Sequence, residues 1–190
     1  HAPAGRSAMS DSVWRVLDAG GGELLVATND GAFLFDVRRE TTLPLSDRYP
    51  GAGLGSIFDA ALGADDSLWL AHPAGVERVD RRTGRVRYFE GGARGGGAFV
   101  GSVVDALHVD ARGHVWVGSE RGLTCLDADG RRLAAYGEAD GLPNPNVGSI
   151  TEDASGNIWV GTFGGLARRR GAVTAPAGAA VLSFDERDGA

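Results

Sequence analysis

Four histidines, one cysteine and dispersed carboxylates are what this 190-residue sequence offers for acid–base or nucleophilic chemistry. Such catalysis needs a serine or cysteine, a histidine and an orienting acid brought together in space. His1 falls in an N-terminal tail, His108 stands in a strand-like LHVD, and His114 follows the turn glycine Gly113. Each reads as a tail, strand or turn residue rather than a catalyst. His72, in LAHPAG, differs because it is expected on a loop between two strands, where a base could meet a substrate. No pair of histidines or cysteines has metal-ligand spacing, so neither a metal centre nor a cofactor is implied. The glycine-rich GGARGGGAFVG at 91–101 lacks the lysine and the strand-to-helix setting of a phosphate cradle and reads as a connection.

The charge balance narrows the partners. Nineteen basic residues, all arginine, face 25 acidic ones, giving a net charge of -6. Nucleic-acid binding draws its affinity from clustered cations, so no nucleic-acid partner is expected. The run Arg168, Arg169, Arg170 is short and reads as a solvated strand end. Cys125 lies in strand-like LTCLD, where a thiol serves as a small buried apolar group. No window approaches the length of a membrane-spanning helix, and the start HAPAGRSAMS lacks a signal-peptide core. Because the chain begins with His1, a trimmed or processed protein is expected, whose parent carries any export signal or anchor.

The elements that would position these residues are short. Thirty-one glycines favour many tight turns over long helices, and helix-period windows of useful length are absent. Self-comparison aligns SLWLAHPAGVERVD, HVWVGSERGLTCLD and NIWVGTFGGLARRR without gaps, with Trp69, Trp116 and Trp159 in register. A weaker copy, ELLVATNDGAFLFD, puts Leu25 in the tryptophan position. Six places after each anchor stands a glycine, at Gly31, Gly75, Gly122 and Gly165. Eleven places after it stand Asp36, Asp80 and Asp127, with Arg170 in the last copy. The anchors recur about every 45 residues, the length of a four-stranded propeller blade.

Each copy reads as four short antiparallel strands joined by Asp/Gly hairpins. A small sheet of this kind has little core of its own and must stack on its neighbour, so the tryptophans are packing residues between blades. The Asp/Gly turns at 110–113, 127–130 and 153–156 lack the ligand count and closing glutamate of a calcium loop and read as hairpin turns. The predicted fold class is all-β, a β-propeller made of four four-stranded blades at approximately 12–48, 49–95, 96–143 and 144–185, with tails at 1–11 and 186–190. Four blades can close a small ring. Part of a larger propeller is the preferred expectation.

The pattern D-x-x-G-x-[IL]-W-V-G-T-x-x-G-L with a preceding G-L-P-x-N-x-V resembles the two-component regulator propeller repeat. Its best match is DGLPNPNVGSITEDASGNIWVGTFGGLARR, residues 140–169. The resemblance implies a periplasmic or extracytoplasmic sensor region, as in bacterial hybrid histidine kinases and some diguanylate cyclases, whose parent carries a membrane-anchored kinase or cyclase. It also implies a platform that senses a small molecule, a carbohydrate among the options, or forms a homodimer.

In a propeller, the turn between second and third strands shares a rim with the connection to the next blade, and sites are built there. The residues expected to face a ligand or protein partner are Asn29, Asp30, His72, Glu120, Arg121, Asn144, Asn146 and Phe163. Glu120 and Arg121 could grip a polar solute, and Phe163 could stack on a ring. The leading reading is a non-enzymatic recognition module. Two alternatives stand beside it: a propeller lyase or hydrolase with His72 as base, which resembles streptogramin lyase, and a structural scaffold that dimerises through its blade faces.

Overall fold

The computed structural model describes residues 12–92, 96–170 and 181–184. The expected tails at 1–11 and 186–190, His1, residue 185, the end of the fourth repeat at 171–180 and part of the glycine-rich connection at 93–95 lie outside the described residues. The chain divides into two compact units, residues 1–88 and 89–190.

In the first unit, blade 1 is the sheet β1 (Val13–Gly20), β2 (Glu23–Thr28), β3 (Gly31–Asp36) and β4 (Thr41–Pro44), each strand antiparallel to the last. A single helical turn, α1 (Leu45–Arg48), leads out of it. Blade 2 follows with β5 (Asp59–Leu62), β6 (Ser67–His72) and β7 (Gly75–Asp80), and with β8 (Val86–Gly92), a strand that runs across the division between units. Leu25, Leu34, Leu45, Ile57, Leu68, Leu70 and Val79 form one buried cluster. The core thus lies between two sheets rather than within one, as thin sheets require.

In the second unit the end of β8 pairs in parallel with the two-residue β9 (Phe99–Val100), a strand the repeat pattern does not contain. Blade 3 is β10 (Val104–Val109), β11 (Val115–Ser119), β12 (Gly122–Leu126) and β13 (Arg132–Tyr136). Blade 4 is β14 (Val147–Glu152), β15 (Ile158–Thr162), β16 (Gly165–Arg169) and β17 (Val181–Phe184). Trp116, Leu123, Cys125, Tyr136, Val147, Ile158 and Val160 make the buried cluster between them. Burial pushes the Cys125 thiol up to about 12, as befits an apolar core group.

The anchors pack as the repeat requires. Leu25 is fully buried, Trp69 and Trp116 are 1% exposed, and Trp159 is half-buried. The Asp/Gly turns are hairpin turns: Gly113 and Gly156 close them at φ +84 and +76, and each first aspartate accepts the turn's own N–H groups. The same carboxylates reach the anchors, Asp110 accepting from Trp116 Nε1 at 3.0 Å and Asp153 from Trp159 Nε1 at 2.7 Å. His114 belongs to this turn, its Nδ1 lying 3.0 Å from Asp110 Oδ2.

The arginine run is not a solvated strand end. Arg168 lies across the strand from Trp159 and covers its ring at 5.2 Å, as Arg78 covers Trp69 at 5.7 Å. Arg169, 3% exposed, donates from Nε to Tyr136 Oη at 2.8 Å and stands 5.3 Å over Trp116. In blade 3 the cross-strand partner of the anchor is Cys125, too small to cover the indole. The next blade therefore supplies the arginine, and the stem of a long cation covers aromatic surface while its head finds a π face.

Candidate ligand-binding rim

A short side chain ends the second strand in three blades and shapes the turn that follows. Thr28, Ser119 and Thr162 donate from Oγ to the carbonyls of Gly31, Gly122 and Gly165 at 2.9, 3.2 and 2.8 Å. The same oxygens accept from the N–H groups of Asp30, Arg121 and Gly164. In blades 1 and 4 the hydroxyl satisfies its own turn and fixes the loop tip locally, whereas the Ser119 hydroxyl makes its shorter bond, 2.7 Å, to the Val100 carbonyl of the incoming connection.

Blade 2 breaks the rule. His72 is the last residue of β6 rather than a loop residue, and it is 8% exposed. Its Nε2 lies 3.1 Å from Glu77 Oε2, and Tyr88 packs edge-on against its ring at 5.4 Å. Glu77, 4% exposed, uses Oε1 to accept the Gly53 N–H at 2.9 Å. The expectation of an open base at His72 is corrected accordingly: two buried residues are bound to each other and to the connection between blades.

That connection brings the first unit's rim together. Gly53 O accepts from Ala32 N–H, Ile57 N–H donates to Thr28 O, and Ser56 Oγ donates to Asn29 O at 2.9 Å. The turn and the connection share one rim, as the topology requires. Asn29 and Asp30 are exposed at its tip. Asn29 is also structural, since its Oδ1 accepts from Trp14 Nε1 at 2.7 Å.

The second unit's rim holds the other expected residues. Glu120 accepts from the N–H groups of Ser102 and Val103 at 3.0 Å, so it ties down the incoming connection rather than reaching for a solute. Burial works against its ionisation, but those N–H groups outweigh it and hold the carboxyl below its usual range. Arg121 is exposed, its Nε 3.6 Å from Glu120. Asn144 Oδ1 accepts from Asn146 N–H at 2.9 Å, and Asn146 O accepts from Phe163 N–H at 3.2 Å. Phe163 is 80% exposed.

Four residues escaped the sequence reading: Trp14, Phe58, Glu77 and Asp105. The 57% exposed Trp14 meets Phe58 edge-on at 6.0 Å. Loss of water and the Glu120 charge push Asp105 up from the ordinary carboxyl range. Aligning the first strands eleven places before each anchor would have found three of them, because Trp14, Phe58, Asp105 and Gly148 occupy that place.

In each unit, antiparallel sheets built on one repeat pack about a buried core and share a rim of turns and connections, and this defines the class: the chain is built of β-propeller blades. Residues 141–164 match the family model of the two component regulator propeller, so blade 4 carries that repeat. No curated protein matches the chain in sequence. Among solved structures, it is similar to the extracellular domain of a protein described as the hybrid two component system BT4673 from B. thetaiotaomicron, with TM-score 0.66 and 17% identity, covering 96% of this chain and 24% of that one. Virginiamycin B lyase from Staphylococcus aureus is similar at TM-score 0.62 and 13% identity over 91% of this chain and 55% of that one. The WD40 β-propeller domain of Doa1 gives TM-score 0.66 and 20% identity over 85% of this chain and 51% of that one. The chain thus spans between a quarter and about half of the length of these structures.

Proposed function

We propose that the chain is a non-enzymatic propeller module that recognises a small molecule or a protein partner at its rim, in bacterial signal transduction. The observation that carries this reading is the division of labour in the repeat. Residues recurring between blades are consumed by turns and core, while exposed rim residues such as Asn29, Asp30, Arg121 and Phe163 change from blade to blade. Variable groups on a repeated frame suit recognition, not a fixed catalytic geometry. The two component regulator propeller match in blade 4 and the likeness to an extracellular sensor domain support a signalling role, a parent with a membrane-anchored kinase or cyclase, and a place outside the cytoplasm.

A thermal-shift screen of sugars, peptides, small cations and small anions tests the solute version. Stabilisation by at least one class is expected, and stabilisation by none would leave a protein partner.

The likeness to virginiamycin B lyase favours a second reading, with His72 as a base. His72 pairs with Glu77 in a buried place, which weighs against it. Turnover that disappears in His72→Ala would restore it. A dimerising scaffold is the third reading, and a strict monomer in light scattering would remove it.

A further inference from the structure

The first strands leave the ladder at matched places. Pairing skips from Val13–Thr28 to Arg15–Ala27 in β1, from Val104–Ser119 to Ala106–Gly118 in β10, and from Val147–Thr162 to Ser149–Gly161 in β14. Each skip leaves one unpaired residue at the rim end of the strand: Trp14, Asp105 and Gly148. A β-bulge of this kind re-aims a side chain away from its place in the sheet. Phe58, just ahead of β5, holds the corresponding position in blade 2.

In the first unit, two of these positions are aromatic, and they meet. Trp14 and Phe58 stand at an interplanar angle of 77°, forming the two walls of a corner. The corner is held rather than loose, because Trp14 Nε1 donates to Asn29 Oδ1 and the Asn29 carbonyl is in turn held by Ser56. Beside Asn29 stands the exposed carboxylate of Asp30. The nearby cation, Arg15, has its guanidinium 3.4 Å from Asp59, so its charge is balanced by a partner. A fixed pair of aromatic walls, an exposed carboxylate and a chain of net charge -6 form a surface that attracts a positive ligand.

We propose that Trp14, Phe58 and Asp30 form a site for an organic ammonium cation, with the alkylated nitrogen set against the two rings and the carboxylate beside it. The proposal rests on the recognition reading and names the ligand class of the first unit's rim. A quaternary ammonium fits better than a primary one, because its charge is spread over methyl groups that lose little hydration against an aromatic face. It fits better than a neutral sugar, which carries no positive charge to set against Asp30 and the two ring faces.

The test is fluorescence titration of the protein with choline and tetramethylammonium. Trp14 is the most exposed of the four tryptophans, Trp69 and Trp116 being sealed and Trp159 half-buried beneath Arg168. The neutral isostere of choline, 3,3-dimethylbutanol, and glucose serve as comparison ligands. The expected result is saturable binding of the cations with a change in Trp14 emission, at least tenfold tighter than the alcohol. Read by isothermal titration calorimetry, because the Trp14 variants lack the reporter, Trp14→Ala should weaken it at least tenfold, Trp14→Phe should retain part of it, and Asp30→Asn should weaken it severalfold. Far-UV circular dichroism separates lost binding from lost folding, and Trp14→Phe keeps the test open if Trp14→Ala does not fold. Equal binding of cation and alcohol, binding unaffected in Trp14→Ala, or no saturable binding of either cation would each overturn the proposal. Binding of glucose without the cations would overturn the cation class while leaving the recognition reading standing. Cation binding that is lost in Phe163→Ala but kept in Trp14→Ala would place recognition on the second unit's rim and also overturn the proposal.

Discussion

Asp110 shows how one side chain can hold a whole turn. Its carboxylate accepts from two backbone N–H groups, from His114 and from Trp116 Nε1. Burial pushes this carboxyl up, but the donors outweigh burial and leave it below the ordinary value of 3.8. A carboxyl depressed in the folded state contributes stability that is complete above the unfolded value and is lost as pH falls through the folded one. Asp110→Asn is therefore expected to flatten the loss of stability on acidification below about pH 4, read from denaturant midpoints across a pH series. Asp110→Ala, which leaves the buried Trp116 N–H without its acceptor, is expected to cost about 1–3 kcal/mol. The His72–Glu77 pair behaves differently, because either residue alone is a liability. Glu77→Ala removes the acceptor of both His72 and the Gly53 N–H and is expected to cost about 1–3 kcal/mol in urea unfolding. Combining it with His72→Thr, the residue that blades 1 and 4 use at that place, should recover part of that loss, so the two costs will not add.

At the scale of the element, the recurring glycine six places after the anchor has two different reasons. Gly31, Gly122 and Gly165 sit at φ +135 to +136, a conformation that side chains rarely adopt. Gly75 does not adopt it; there a Cβ would meet the Tyr88 ring at 2.5 Å. Gly122→Ala is expected to destabilise by at least about 1–3 kcal/mol from backbone strain, and because its Cβ would also meet the Tyr136 carbonyl oxygen, another backbone atom, no second substitution should relieve it. Gly75→Ala should be rescued by trimming Tyr88 to alanine, in a four-member cycle of thermal unfolding midpoints. The sequence made the glycine visible but not its cause, since a letter repeated in register looks the same whether φ or a neighbour demands it. The hairpins and anchors were legible because period and turn chemistry are local. The rim was only half legible. Asn29, Asp30, Arg121 and Phe163 are exposed as topology predicts, whereas His72 is held by Glu77, itself tied to the Gly53 N–H, and Glu120 is held by the Ser102–Val103 backbone. Trp14 was missed because a bulge is a miscount between strands that no single strand's pattern records; only the first strands aligned to the anchor mark its place.

At the scale of the whole chain, each unit has its own core, and Cys125 lies at the centre of the second. A sealed thiol pushed up to about 12 by burial is expected to resist alkylation near neutral pH until that unit opens. Its labelling rate should rise as the stability of that unit falls across the variants, and rapid labelling of native protein would contradict this. Arg169 joins blade 4 to the Trp116 and Tyr136 rings of blade 3, so Arg169→Ala should speed Cys125 labelling, although the two residues are on different sheets. The bulged residues carry a further consequence. A residue that the ladder does not count can be exchanged without shifting any pair on either side, so the frame tolerates there what it would reject one place away. Positions 14, 105 and 148 are in this sense sockets: a library randomised at those three alone should yield mostly folded proteins, and among them, altered tastes in ligand.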